Sequence, residues 1–298
     1  MELLETLKRK INSAEELQSL VKTMKALAAV SIREHEQAVE SLKEYHKTIE
    51  MGFHILLQNR PDEEVGEAGY VEKNRLCAIV FGSERGMCGQ FNEKISIFAL
   101  DRMNELEIKP QDRTVFALGD RVIARLEEAG QPIDKRFSIS GSNIGFTLQE
   151  VLINIEEFRL KKDIDRIVLF YNRPAAGTSF QPFMVYLLPF DPEWISNLSG
   201  KKWPSRNLPT FTMDWSSLFS SLTRQYLFFS LYRAFVESIA SENASRLASM
   251  QVAEKNIEER LRDMNTGFNL QRQTSITSEL LDIMTGFEAL MGKSITPE

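Results

Sequence analysis

The sequence contains few of the residues that most often build catalytic or metal centres. Its 298 residues include two cysteines, Cys77 and Cys88, and three histidines. There is no Cys-x-x-Cys pair and no Cys/His ligand spacing, which argues against a structural zinc site. Sparse cysteine is also typical of a reducing cytosol. We therefore expect neither a metal nor a cofactor.

Positive charge and long apolar runs are scarce as well. The net charge of −6 argues against a dedicated nucleic-acid binder, which normally carries a basic surplus. The longest apolar run, FMVYLLPF at 183–190, is too short to span a bilayer. The first ten residues, MELLETLKRK, have neither a signal-peptide nor a transit-peptide pattern. The chain is thus expected to reach a membrane only through a partner.

Proline is absent before Pro61 and between Pro209 and Pro297, so both flanks can hold long helices. In the first flank, apolar residues recur every seven positions, which predicts a coiled-coil helix over 1–58. One row reads Leu7, Ala14, Val21, Ala28, His35, Leu42, Ile49 and Leu56, and the other runs through Leu4, Ile11, Gln18, Lys25, Ile32, Val39, His46 and Phe53.

Two details of this helix need an interpretation. In the second row we expect Leu17 and Met24 to replace Gln18 and Lys25 at the seam. Residues 13–16 read Ser-x-x-Glu, a capping box that would start a new helix. Because the apolar rhythm passes through it, we predict one continuous helix.

The last flank repeats the pattern, with apolar residues at three- and four-residue steps from Leu222 to Leu290, and predicts a helix over 212–292. At 1.5 Å per residue, the two helices would be roughly 80 Å and 110–120 Å long. A domain of this size has no core that deep. We therefore expect the helices to pair antiparallel and to project from the rest of the molecule.

Residues 70–195 alternate between strand and helix patterns. Strands are predicted within 75–82, 114–119, 165–172 and 180–191. Helices are predicted from the loop after the first strand to about residue 106, over 120–130 and over 147–161. The last of these helices follows a Thr147-x-x-Glu150 capping box. Repeated βα units indicate a mostly parallel sheet. Residues 196–211 are predicted to be an irregular connector. The predicted class is α/β: a long antiparallel coiled coil with an inserted small, Rossmann-like parallel-sheet domain.

The loop GSERGMCGQFN at 82–92 has the position of a phosphate-binding or nucleophile loop. It lacks the lysine and hydroxyl of a P-loop, and its glycines at 82, 86 and 89 do not fit Gly-x-Gly-x-x-Gly. A catalytic Cys88 would need a histidine base, but His35, His46 and His54 all lie on the first helix. A packed structural turn is favoured, with a nucleotide site as the alternative. For His35 and His46 we favour packing over metal binding.

Two stretches of the last helix are candidate contact surfaces. In 240–250, small residues surround Glu242 and Arg246, which are spaced i, i+4; a surface ion pair and a polar contact with an enclosing partner explain them equally well. In 271–283, Arg272, Gln273 and Thr277 stand among further serines and threonines, which are poor helix formers. That stretch is either a functional surface or a solvated face.

Taken together, these segments resemble the gamma subunit of the F-type rotary ATP synthase. The resemblance spans almost the whole chain and depends on three separated places: KINSAEELQSLVKTMKALAA at 10–29, SERGMCGQFN at 83–92, and the pair ESIASENASRLASM at 237–250 and QRQTSITSELLDIMTG at 271–286. No one of these motifs is decisive, but their order on this architecture is specific.

The resemblance implies a non-catalytic central rotor stalk. Its helices would turn inside a ring of alpha and beta subunits, with the α/β domain against epsilon and the membrane c-ring, coupling ion translocation to ATP synthesis or hydrolysis. It places the chain peripherally, at the cytoplasmic face of a bacterial cell membrane. By position, Arg272, Gln273 and Thr277 would contact the beta catch loops, Glu242 and Arg246 nearby polar groups, and Met24 the beta levers.

Some segments depart from the family pattern. Glu16 and Leu17 replace the usual Asn-Thr, residues 171–194 differ from the common bacterial pattern, and the chain runs past the usual end near Gly286. These departures fit a divergent branch such as the alternative, sodium-pumping (N-type) one. No cysteine-bearing insertion of the chloroplast kind is visible, so no thiol switch is expected. The alternatives are a stand-alone α/β ligand-binding protein with a helical dimerisation arm and a coiled-coil adaptor.

Overall fold

A long helix lies at each end of the chain in the computed structural model, which describes residues 2–59, 74–139, 144–175, 179–201, 203 and 209–292. Helix α1 runs over Glu2–Gln58 and helix α6 over Trp215–Gly292. Residues 13–16 lie inside α1, so the capping box does not start a new helix there. The prediction of one continuous N-terminal helix is confirmed.

Between these helices, the described residues form five strands and four shorter α-helices. In chain order they are β1 (Leu76–Phe81), α2 (Phe91–Glu105), β2 (Arg113–Leu118), α3 (Asp120–Glu128), β3 (Lys135–Phe137), α4 (Ile144–Lys162), β4 (Arg166–Pro174), β5 (Phe180–Leu188) and α5 (Pro192–Gly200). The strands form one sheet in the order β3-β2-β1-β4-β5. All pairs are parallel except β4 with β5. The first four strands follow the Rossmann order, and the predicted fold class is confirmed.

Both faces of the sheet are covered, which is why β1 is apolar at every position. Its residues alternate between the two layers: Cys77, Ile79 and Phe81 pack with α4 and α6, whereas Leu76, Ala78 and Val80 pack with α2 and α3. The sheet core therefore includes one face of α6, through residues such as Leu231 and Phe235.

Two compact units divide the chain, and the first combines the described parts of Met1–Leu27 and Ser249–Glu298. In it, Lys25 Nζ donates to Glu254 at 2.6 Å and Gln18 Nε2 donates to Glu258 at 3.4 Å, so the two helix segments run antiparallel. The predicted replacement at the seam is wrong for Leu17, which is 54% exposed. Gln18 and Lys25 keep the seam positions because acidic residues of α6 satisfy their polar ends.

The second unit, Ala28–Ala248, contains the sheet and the remaining helix segments. Here too the helix segments run antiparallel: Asn243 Nδ2 donates to Ser31 Oγ at 3.0 Å, and Tyr45 donates to Gln225 at 2.8 Å. Near the end of α1, Phe53 is buried among the rings of Phe190, Trp194, Phe219 and Tyr226.

The structure corrects two local predictions and adds one strand. Residues 196–200, which were predicted to be irregular, belong to helix α5. Asp191 caps this helix, since its carboxylate accepts a hydrogen bond from the amide of Glu193, and Pro192 occupies the first turn. Helix α4 begins at Ile144, so Thr147 lies inside it and is not its cap. The three-residue strand β3 was not anticipated. Such a strand is too short to show a period.

Candidate functional site

The loop after β1, residues 82–90, is tightly folded on itself. The side-chain amide of Asn92 accepts from the backbone N–H of Ser83 and donates to the Ser83 hydroxyl, both at 2.8 Å. That hydroxyl in turn donates to the carbonyl of Arg85 at 2.8 Å. The polar groups at the start of the loop are thus used inside it.

Cys88 is buried in the same network and is not set up as a nucleophile. Its Sγ lies 3.5 Å from both Ser83 Oγ and Asn92 Nδ2. Burial raises the pKa of the thiol, which keeps it protonated, whereas a reactive cysteine needs a lowered pKa. The other cysteine, Cys77, is free and buried in the sheet, where burial also raises its pKa.

Helix α6 occupies the place where a Rossmann-type domain would bind a ligand. Such ligands lie beyond the carboxyl ends of the strands where the strand order reverses, here at β1 and β4. Ser245 Oγ donates to the Cys88 carbonyl at 2.6 Å, and Arg246 Nη2 donates to the Gly86 carbonyl at 3.4 Å. Beside β4, the Tyr171 hydroxyl donates to Glu237 at 3.0 Å. The chain's own side chains fill this crevice, which supports the structural interpretation of the loop.

Glu242 and Arg246 form the predicted i, i+4 ion pair, but the pair is not a surface one. Their nearest atoms lie 2.5 Å apart, and the side chains are only 13% and 14% exposed. Arg246 also donates to Asn243 Oδ1 at 3.0 Å. Burial raises the pKa of Glu242, although the neighbouring guanidinium opposes that shift. Both side chains are held mainly by groups of this chain.

All three histidines contact other groups of this chain, and His46 packs on an aromatic ring as predicted. His35 Nδ1 donates to the Ser31 carbonyl at 2.6 Å. His46 lies against Phe229 with ring centroids 5.0 Å apart, and burial lowers its pKa. His54 is buried and hydrogen-bonded to the Leu198 carbonyl and to Gln58. Among the described residues, no cluster of three or more His, Cys, Asp or Glu side chains is arranged to hold a metal.

The other predicted contact residues on α6 point into solvent. Arg272, Gln273 and Thr277 are exposed, and the Thr277 hydroxyl donates to the Gln273 carbonyl of the preceding turn at 2.9 Å. Every side chain from 276 to 288 is exposed as well. This end of α6 is nevertheless rich in large apolar residues: Ile276, Leu280, Leu281, Ile283, Met284 and Phe287.

Met24 is half-buried, and large apolar residues lie close to it on the part of α1 that faces solvent. Leu17, Leu20 and Leu27 are exposed by 54%, 48% and 66%. Their spacing around Met24 follows three- and four-residue steps, which places them on one face of the helix. Assigning Leu17 to the seam hides this second apolar row, although its steps of three and four residues are visible in the sequence.

Comparisons with known proteins agree with this architecture. The model of the ATP synthase family matches residues 3–290. The ATP synthase gamma chain of Acaryochloris marina is 24% identical, covering 96% of this chain and 99% of the relative. That of Aquifex aeolicus is 26% identical, covering 95% of this chain and 96% of the relative. Within the part of the chain that is described, no helix is long and apolar enough to cross a bilayer.

Solved structures share the fold. A chain of the Euglena gracilis mitochondrial ATP synthase has a TM-score of 0.69 at 16% identity, covering 100% of this chain and 97% of that one. A chain of the Tetrahymena thermophila mitochondrial ATP synthase central stalk and c-ring has a TM-score of 0.56 at 18% identity, covering 78% and 99%. With a family match over nearly its whole length and relatives named as gamma chains, this protein belongs to the ATP synthase family as a gamma chain.

Proposed function

We propose that the chain is the torque-transmitting central stalk of an F-type ATP synthase and has no catalytic site of its own. The observation that carries this proposal is the exposed apolar surface of the first unit. Large exposed apolar side chains that are grouped together normally mark binding surfaces. Here they lie on the outward face of α1, around Met24, and on the last turns of α6 from 276 to 287.

An enclosing ring of subunits fits this surface better than a single partner. In the first unit, the seam between the helices is polar at Gln18 and Lys25, whereas leucines face outward. Apolar side chains that face away from the coil need protein on the outside. A stiff shaft whose sides differ presses unequally on identical surrounding sites, and so biases their conformations and nucleotide affinities as it turns.

The specific contacts follow from exposure and position. We assign Arg272, Gln273 and Thr277 to polar contacts with beta-subunit loops, since these side chains are exposed beside the apolar end of α6. Met24 is assigned to the beta levers through the row of exposed leucines beside it. For Glu242 and Arg246, only the small exposed edges of the pair are free for a neighbouring subunit.

The remaining partners rest on the family. The related structures are those of ATP synthase assemblies with F1 and a c-ring, of a rotor, and of a central stalk with its c-ring. We infer that this chain likewise joins alpha and beta subunits, an epsilon subunit and a c-ring, and that it lies at the cytoplasmic face of a bacterial membrane through that complex. Coupling to sodium in place of protons is proposed from the departures in sequence alone.

Charge reversal at Arg272 tests the proposal. In the assembled complex, Arg272→Glu should lower ATP turnover, because a cation facing polar beta-subunit loops would become an anion. Arg125→Glu is the matched control, since Arg125 is exposed on α3 of the sheet domain and pairs with the exposed Glu128. Unchanged turnover in Arg272→Glu, with the complex intact, would remove that contact from the proposal.

Co-purification tests the function itself. Affinity capture of the chain from native membranes should recover alpha and beta subunits by mass spectrometry. Recovery of neither, together with micromolar ATP binding by the isolated chain in calorimetry, would favour the stand-alone ligand-binding protein.

A further inference from the structure

One turn of α6, residues 243–246, contacts two other parts of the second unit through polar side chains. Asn243 donates to Ser31 of α1 at 3.0 Å, and Ser245 donates to the Cys88 carbonyl at 2.6 Å. Arg246 reaches the Gly86 carbonyl at 3.4 Å. Three segments that are distant in sequence therefore meet here: α1, α6 and the loop after β1.

These contacts are sheltered from water and connected to each other. Asn243, Ser245 and Cys88 are all buried. Arg246 donates to Glu242 and Asn243 as well as to the Gly86 carbonyl, so its guanidinium connects α6 with the loop. Hydrogen bonds shielded from water are stronger and more rigid than exposed ones. The loop is also held by the segment after β3, since the Glu84 carboxylate accepts hydrogen bonds from the Ser138 hydroxyl at 2.6 Å and from the amide of Ile139 at 3.1 Å.

The rest of the contact between α6 and the sheet is mostly apolar, through residues such as Leu231 and Phe235. Apolar contacts are non-directional, so they restrict small movements of a helix over a sheet less sharply than hydrogen bonds do, although a large turn would expose residues such as Leu231 and Phe235. Hydrogen bonds have strict preferences in distance and angle. The bonds at 243–246, together with the bond from Tyr171 to Glu237, therefore add a directional restraint against such a movement at this end of the sheet.

We propose that residues 243–246 of α6, with the carbonyls of Gly86 and Cys88, form a joint that makes the sheet domain and the helices rotate together without slipping. The proposal rests on the rotary function proposed above and adds to it a role for the loop after β1. Arg246 and Ser245 are positioning residues in this joint; they fix the loop against the helix and touch no substrate.

The test compares variants in the assembled complex reconstituted into vesicles. Arg246→Gln keeps a long polar side chain but loses the charge and the fork of donors. Ser245→Ala removes a single hydroxyl, so it remains informative if Arg246→Gln fails to assemble. Arg246→Lys keeps the charge and should therefore retain part of the ion uptake per ATP and of the loop's protection from exchange. The control is Lys161→Gln, which breaks another i, i+4 ion pair, one that is exposed on α4.

Two quantities are measured for each variant. One is ATP hydrolysis together with ion uptake, followed by a pH-sensitive dye and by radioactive sodium. The other is hydrogen exchange of the backbone amides in 83–90. Arg246→Gln should speed that exchange at least about tenfold, because a hydrogen bond from a charged donor is lost. It should also lower ion uptake per ATP hydrolysed, whereas Lys161→Gln should change neither quantity.

The outcomes separate this inference from the proposed function. If wild-type complex pumps ions and Arg246→Gln and Ser245→Ala pump equally well per ATP, the joint is not needed for coupling and the inference is wrong, whatever happens to loop exchange. Unchanged loop exchange would show that the contact does not hold the loop. A wild-type chain that does not assemble with alpha and beta subunits would instead refute the proposed function.

Discussion

Gly82, the first residue of the loop after β1, lies where a side chain has no room. A Cβ atom there would be 2.3 Å from the Cβ of Val122 and 2.8 Å from Oδ1 of Asn92. That same Oδ1 accepts the amide hydrogen of Ser83. Gly82→Ala must therefore push α3 away from β1 and disturb the bond that anchors the loop. A glycine kept for close approach of a phosphate would have a different signature, namely loss of nucleotide binding.

The expected loss of stability follows from these contacts. Inserting a methyl group into a packed core costs about 1–3 kcal/mol. Weakening the bond between Asn92 and Ser83 adds about 1 kcal/mol, for a total of about 2–4 kcal/mol in the free energy of unfolding. At 2–4 °C per kcal/mol for a unit of this size, the midpoint temperature should fall by roughly 4–16 °C.

Thermal and denaturant unfolding followed by circular dichroism measures this loss. Val122→Ala removes Cγ1, which would lie 2.5 Å from the new methyl group, but keeps the Cβ atom. The double variant should therefore be more stable than the sum of the two single losses predicts, by about 1 kcal/mol. Gly267→Ala is the control, because its Cβ on α6 meets nothing within 4 Å. Wild-type stability in Gly82→Ala, or strict additivity with Val122→Ala, would refute the packing argument.

Two further predictions concern polar groups of the helices. Lys25→Met should lower the denaturant midpoint, because it leaves the half-buried Glu254 without its ion-pair partner at 2.6 Å. Adding Glu254→Leu should restore the midpoint, since no unpaired charge then remains in the seam. A double variant as unstable as Lys25→Met would contradict this account. Since burial lowers the pKa of His46, the free energy of unfolding should fall as pH drops through the ordinary histidine value of 6.5. His46→Gln should flatten that part of the pH profile; an unchanged slope would count against this assignment.

The helices were predictable because their signal is local and repeated. Heptad spacing accumulates over many turns, so one misplaced residue such as Leu17 does not hide the period. The partner of a seam residue is not local. Nothing near Lys25 in the sequence shows that Glu254 will neutralise it. A polar residue at a seam position therefore suggests that an apolar neighbour takes its place.

Short elements and buried polar contacts were harder to predict. Asp191 and Pro192 were a readable start signal for α5, but the prolines and tryptophans nearby favoured an irregular segment. The burial of Glu242 and Arg246 depends on the carbonyl of Gly86, which lies about 160 positions earlier in the chain. A pattern in α6 alone shows that two charges can pair, but not that the loop after β1 covers them.

The last turns of α6 have a consequence for the life of the protein before assembly. The leucines, isoleucines, methionine and phenylalanine of this end are all exposed to water, so the same ends of two free molecules can associate through them. The order in which the subunits are made then matters. Subunits that cover this end of α6 should be present when the newly made chain is released, because otherwise aggregation competes with assembly.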